Sequence, residues 1–470
     1  MTFEQKGRLS AIVFLFFLLL AGQVSNVESA PICNKASKVA SNQATNILSI
    51  GSVWSGAKVK FDGVEQDNTI FVAYYDATRW LTVAALNLTS GVVCRQKLPT
   101  RFGGWDPHNE IAMTMSDDGT LHVAANMHAS PLLLWNSNET RDLQSLAPAK
   151  GIGKNEKRVT YPTFLHGRNG ELYFLYRDGG SGNGSWFINA WKDGRWHRVS
   201  QVFSNQSAEG PVSAYPSAFV QDDAGIWHFA VVWRKSPDAS TNFAVSYAKT
   251  TDFRVFQTSS GKAVQGPLRL DNSDIVEWTG QSKGLLNPPR VVVSKEGAPV
   301  VAYTRFSEKK RDAVYAARPE GGRWSIVKVM EGKGETDISG RGTLSDVPSF
   351  GVISDGVSAQ FVANFPHEPP RRARLDLSTL QPTEKDLHIV QSGALGIPQD
   401  FQRFESAFGE LADPVRMSVN ISDAEMPDMS EGTLVWYAQM SNGDKPRRCE
   451  PGGSRGCQPP ATQLFVIVRR

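Results

Sequence analysis

The sequence predicts an all-β chain folded as a seven-bladed β-propeller, and three observations predict it. First, a short apolar strand recurs seven times, most copies entered by a glycine-bearing turn. The copies lie at 70–76 (IFVAYYD), 121–127 (LHVAANM), 172–178 (LYFLYRD), 226–233 (IWHFAVVW), 299–304 (PVVAYT), 358–364 (SAQFVAN) and 433–439 (TLVWYAQ). Second, their starts are separated by 51, 51, 54, 73, 59 and 75 residues, room for a four-stranded blade with loops and the signature of a repeat array. Third, helical periodicity is almost absent, while 41 Gly and 26 Pro are spread throughout, as many short strands and turns require. Two β-sandwich domains would share the turns and the alternation. No linker or composition break divides the chain, which favours one closed ring.

The elements follow in order. Residues 1–29 read as an export signal: Lys6 and Arg8 precede the apolar run AIVFLFFLLLA, which is short for a membrane span, and small residues lie near Ser29. A single propeller domain is then expected over residues 30–470. Asp118-Gly119, Asn169-Gly170, Ala224-Gly225, Glu296-Gly297, Asp355-Gly356 and Glu431-Gly432 introduce the later repeats. The longer units near 245–300 and 365–430 are expected to carry excursions. The four cysteines of an exported chain can form two disulfides: Cys449 with Cys457 is the first choice, which leaves Cys33 to reach Cys94. The sequons at Asn87, Asn138, Asn183, Asn205 and Asn420 would matter only in a eukaryotic secretory pathway. A net charge of +3 without a long basic run gives no sign of a nucleic-acid partner, and no second apolar run is long enough to span a membrane. No CxxC pair or HExxH helix supports zinc catalysis.

Between Trp105 and Asp178 lie WDPHN with His108, NMH with His128, TYP with Tyr161 and LYRDGGSGNG with Arg177. Each sits at or beside the end of an apolar run, so successive repeats should bring all four to neighbouring blades. Taken singly, each has a structural explanation: a histidine bonded to Asp106, a tyrosine packed at a strand edge, an arginine paired to Asp178. Together they suit abstraction of a proton alpha to a carboxylate. An arginine neutralises the carboxylate through two parallel hydrogen bonds, a histidine is a base poised near neutral pH, and a tyrosine hydroxyl is an acid for the departing oxygen. In a uronic acid the proton is on C5 and the leaving group is the C4 glycosidic oxygen, so the reaction is a β-elimination that cuts a polysaccharide.

WDPHNEIAMTMSDDGTLHVAANMHASPL, TYPTFLHGRNGELYFLYRDGGSGNG and WHFAVVWR resemble the BNR-4 type propellers, which include the ulvan lyases and related rhamnose–glucuronate lyases. The resemblance implies a secreted or periplasmic lyase acting as a monomer on an anionic polysaccharide. It places the base on His108, a second substrate-contacting histidine on His128, a catalytic tyrosine on Tyr161 and the uronate-neutralising arginine on Arg177, with Asn109 beside the substrate. The division of base and acid between His108 and Tyr161 stays open. No cofactor is expected for catalysis; a structural metal ion is left open, with no ligands assigned. Further candidates for binding substrate are Arg234, Tyr247 and Arg305, which could hold other acidic groups. Trp105 and Trp233 either stack on sugar faces or pack between blades.

Two other readings compete. A sialidase-like hydrolase would use Arg177, Arg234 and Arg305 as an arginine triad with a tyrosine nucleophile, but it leaves both histidines without a task. A non-catalytic carbohydrate-binding propeller would share the fold alone.

Overall fold

The computed structural model describes residues 31–41, 45–208, 210–388, 417–421, 432–439, 441–446 and 461–469. The segment read as an export signal lies outside these residues, as do Cys449, Cys457 and most of the 365–430 unit. The chain is an all-β propeller: the described residues form seven antiparallel sheets, and their only helical elements are three single 3₁₀ turns.

Every recurring strand occupies the second position of its own sheet. These are Thr69–Tyr75, Leu121–Ala125, Leu172–Gly180, Trp227–Arg234, Pro299–Phe306, Ser358–Asn364 and Gly432–Gln439. Sheets 2, 3, 5 and 6 have the expected four strands. Sheet 1 gains an outer strand, Ile32–Lys35, tied to Val92–Arg101 by the Cys33–Cys94 disulfide. Sheet 4 has seven strands: the excursion after residue 250 adds the hairpin Val255–Gln257 and Ala263–Gln265, and both Ser213–Pro216 and Val220–Gln221 pair along the second strand. Sheet 7 joins the two ends of the chain: Thr45–Val53 pairs with Thr462–Arg469, which pairs with Gly432–Gln439.

The second strands are buried on both faces, so what alternates along them is the packing partner. In Trp227–Arg234, all of it buried, Phe229, Val231 and Trp233 pack toward sheet 3, while Ala230 and Val232 pack toward sheet 5. Apolar clusters of this kind fill the spaces between successive sheets from sheet 7 through sheet 1 to sheet 6. A strand sandwiched in this way reads as a nearly continuous apolar run. The Asp–Gly turns lie at one end of the sheets. The other end, where first strands begin and second strands finish, carries the candidate site.

Some polar groups inside this stack are fully paired. His122, fully buried in sheet 2, has Nδ1 2.9 Å from Asn136 Oδ1 and Nε2 3.0 Å from Ser116 Oγ. Burial pulls its pKa down to about 4, against the opposing Asn136 hydrogen bond and Asp118 charge. An unfolded histidine titrates near 6.5. Between the two values the unfolded chain binds the extra proton, so stability is full above 6.5 and declines as pH falls toward 4, by roughly 3 kcal/mol. Thermal melts from pH 7 to 4.5 should show a steeper acid loss for wild type than for His122→Gln; equal slopes would contradict this assignment.

Candidate active site

His108 sits in a turn built by Asp106. The Asp106 carboxylate accepts the His108 backbone N–H at 2.9 Å, and its carbonyl accepts the Asn109 side chain at 3.0 Å. The Tyr75 hydroxyl fixes the turn from below by donating to the Asn109 carbonyl at 2.8 Å. An Asp-Pro start favours such a turn, since the aspartate side chain caps the backbone two residues on. His128 follows the strand Leu121–Ala125 through Asn126, whose backbone is left-handed (φ 62°). Asn126 donates to Thr100 Oγ1 at 2.7 Å, and Ala129 N–H donates to Thr160 Oγ1 at 2.8 Å.

Tyr161 lies at a bulge in Val159–His166, where the pairing slips between Thr160 and Thr163. Its φ of 58° is rare for a residue with a bulky side chain. Pro162 has no N–H to give the ladder, so the bulge costs one bond fewer, and it turns the phenol out of the strand's normal alternation.

These elements bring the four residues together. The His108 and His128 rings stack 4.7 Å apart at 23°, and Tyr161 meets His108 edge-on at 5.8 Å. The Arg177 guanidinium carbon lies 4.8 Å from the centre of the Tyr161 ring. Arg177 is not locked to Asp178, whose Oδ1 accepts the Arg158 N–H. It is 1% exposed, and none of its three guanidinium nitrogens has a hydrogen-bond partner among the described residues. The expected pair of direct hydrogen bonds from Arg177 to a uronate is therefore corrected. With Tyr161 in place the guanidinium is sealed, and its charge reaches the site through the ring. Gly184 makes this position available: a Cβ there would stand 2.7 Å from Arg177 Cδ.

Arg234 lies over the Tyr215 ring at 4.4 Å. Its Nε donates to Asn242 Oδ1 at 2.7 Å, its Nη1 reaches the Tyr215 hydroxyl at 3.4 Å and Ser181 Oγ at 3.5 Å, and another nitrogen donates to Asn287. Every one of these partners is neutral. Tyr215 thus lies between two guanidiniums, Arg234 and Arg177, the latter 5.9 Å away, and neither forms an ion pair among the described residues.

The other candidates are placed differently. Tyr247 is buried, with its hydroxyl 2.6 Å from His228 Nδ1, so it is a core hydrogen-bonder and not a substrate ligand. Arg305 pairs with Glu277 at 3.0 Å and stacks over Tyr315 at 3.7 Å, which compensates its charge. Trp105 anchors the site loop, with Arg79 held between its ring and Trp54 at 4.6 and 4.3 Å. Trp233 is fully buried and donates to Ser246. Asn109 stands in the site, but its amide is engaged by the turn.

Three contributions escaped the sequence reading. Asp106 holds both histidines, through His108 Nδ1 at 2.7 Å and a contact to His128 Nδ1. Tyr215-Pro216 repeats Tyr161-Pro162 one unit later, a signal the sequence did carry. Glu110, beside His108 and His128, is held above the usual carboxylate range by burial, against the Lys60 charge. For Asp106 burial pushes the pKa up, but the bonds from His108 and His128 win and hold it far below that range. For His108 burial pulls down, but the Asp106 hydrogen bond and charge prevail, so its pKa is raised. For Tyr161 burial dominates the lowering by Arg177, and the phenol is raised. Asp106, His108 and His128 also form the group whose donor atoms are close enough, within 4.8 Å, for sharing an ion; here each histidine Nδ1 is satisfied by a carboxylate oxygen instead.

A family profile described as "BNR repeat-containing family member" matches residues 69–331, more than half of the chain, and the chain belongs to that family. No curated protein matches it in sequence. Among solved structures it is similar to the polysaccharide lyase Uly1, with TM-score 0.57 and 13% identity over 88% of this chain and 90% of that one. It is likewise similar to a PL25 ulvan lyase, with TM-score 0.58 and 13% identity over 84% and 96% of the two chains. The same enzyme bound to -[GlcA(1-4)Rha3S]- gives TM-score 0.57 and 13% identity over the same shares, 84% and 96%. At this identity the likeness is one of fold.

A buried guanidinium with no partner is a liability to the fold. Arg177→Met keeps the volume and removes the uncompensated charge, so stability in denaturant should rise by about 1–3 kcal/mol. A fall in stability would mean that Arg177 serves the fold.

Proposed function

We propose that this protein is a secreted polysaccharide lyase that cleaves a uronic-acid-containing polysaccharide by β-elimination. One observation carries the reading: a histidine and a tyrosine face each other beside two buried guanidiniums, neither of which forms an ion pair among the described residues. A buried guanidinium without an ion-pair partner is a place prepared for an anion, and its field is strongest where water is excluded. The third arginine a sialidase-like triad would need, Arg305, is already paired to Glu277. The Cys33–Cys94 disulfide suits an exported protein. The fold likeness to lyases, one of them bound to a glucuronate–sulfated-rhamnose repeat, supports an ulvan-like substrate.

In this reading His108 takes the C5 proton. The C5–H electrons form the C4–C5 double bond, the C4–O bond breaks, and the departing oxygen receives the Tyr161 proton. Arg234, and Arg177 from behind the Tyr161 ring, stabilise the charge that builds on the carboxylate. His128 and the hydroxyls of Tyr215 and Ser181 contact the sugar. The base must be neutral, and its pKa is raised. The acid limb of kcat/KM should therefore lie above the ordinary histidine value of about 6.5.

The test is incubation with a panel of uronate polymers while following the ultraviolet absorbance of the new C4–C5 double bond. Wild type should produce it, and Tyr161→Phe should reduce kcat by about 10²–10⁴-fold with an unchanged melting temperature. Depolymerisation without the chromophore would establish a hydrolase. Absence of depolymerisation on every polymer would leave a binding module.

A further inference from the structure

One carboxylate holds both histidines of the site. Asp106 Oδ1 lies 2.7 Å from His108 Nδ1, and Asp106 Oδ2 is bonded to His128 Nδ1. The carboxylate is itself fixed by the His108 backbone N–H and by the turn that Asn109 closes. The two rings stand nearly parallel, and each side chain keeps about a quarter to a third of its surface open, 26% and 31%. Neither Nε2 has a protein partner among the described residues.

We propose that Asp106 is a positioning residue that sets the tautomer of both imidazoles, so that His108 and His128 each present an unprotonated Nε2 to the substrate. An ionised carboxylate only accepts hydrogen bonds, and a neutral imidazole has one N–H. Because each carboxylate oxygen takes one ring, both N–H groups must sit on Nδ1. Free histidine in water favours the opposite tautomer, so the arrangement depends on this carboxylate. Two consequences follow, and they rest on the lyase reading. The neutral histidines are two adjacent acceptors: one receives the C5 proton and the other takes a hydrogen bond from a sugar hydroxyl. Neither has an Nε2 proton to give, which leaves Tyr161 as the group that protonates the departing oxygen.

The tautomers are read directly in long-range nitrogen–proton correlation spectra of isotope-labelled full-length protein. The two residues are assigned by the loss of their signals in His108→Gln and His128→Gln. Wild type should show the Nδ1–H form at both positions. Asp106→Asn should move at least one ring to the Nε2–H form and lower kcat by about 100-fold or more while KM changes little, and Asp106→Glu should restore part of both. A neutral ring with its proton on Nε2 at either histidine in wild type, read above the raised His108 pKa, overturns the proposal. So does an Asp106→Asn protein with unchanged tautomers and unchanged kcat, or a stoichiometric metal ion on Nδ1 in the purified protein. If Asp106→Asn does not fold, the wild-type spectrum decides alone. The same spectrum stands if wild type cleaves no uronate polymer, so failure of the lyase reading is seen separately.

Discussion

Arg177 carries a full positive charge into the interior of a stack of β-sheets and meets no hydrogen-bond acceptor among the described residues. Its compensation within the protein is the electron-rich face of Tyr161, and more distantly that of Tyr215. Cation–π contacts recover only part of the hydration such a group loses. The surroundings must therefore hold it in place, and they do so through local features that look costly in isolation: the bulge at Tyr161, the bare backbone at Gly184, and a second cation one sheet further on. The site is organised around a buried charge that no ion pair among the described residues compensates.

A scaffold able to hold that strain has to be rigid, and the packing explains why it is. Second strands such as Trp227–Arg234 have neighbours on both faces, large side chains toward one sheet and small ones toward the other. Interiors of this kind are close-packed and resist adjustment. The residues of the site stand at the ends of these strands or in short loops tied to them. Trp105 clamps its loop through Arg79, and Tyr75 supports the Asp106 turn. Sheet stacking thus sets the spacing between Tyr161 and Arg177, which both stand in sheet 3, and His108, which stands in the loop joining sheets 1 and 2.

Much of this was legible in the sequence, for a physical reason. A strand sandwiched between sheets must be apolar, and a tight turn must follow the Asp–Gly rule. The seven second strands were therefore found within a residue or two of their observed starts. Strand number was less legible, because the hairpin after residue 250 in sheet 4 is half exposed and carries no comparable pattern. The convergence of His108, His128, Tyr161 and Arg177 followed from their places at strand ends. Charge compensation could not be read in advance. Nothing local distinguishes Arg305, which meets Glu277, from Arg234, which meets only neutral groups. The hydroxyl of Tyr247 turns to His228 for reasons visible only once sheet 4 is assembled. The double role of Asp106 was hidden in the same way, since His128 comes from a different repeat.

The central claim is that the chain breaks a glycosidic bond without adding water. Mass spectrometry of the two fragments from a defined uronate oligosaccharide tests it most directly. Elimination predicts fragment masses that together equal the parent. Fragments that together equal the parent plus one water would contradict the account.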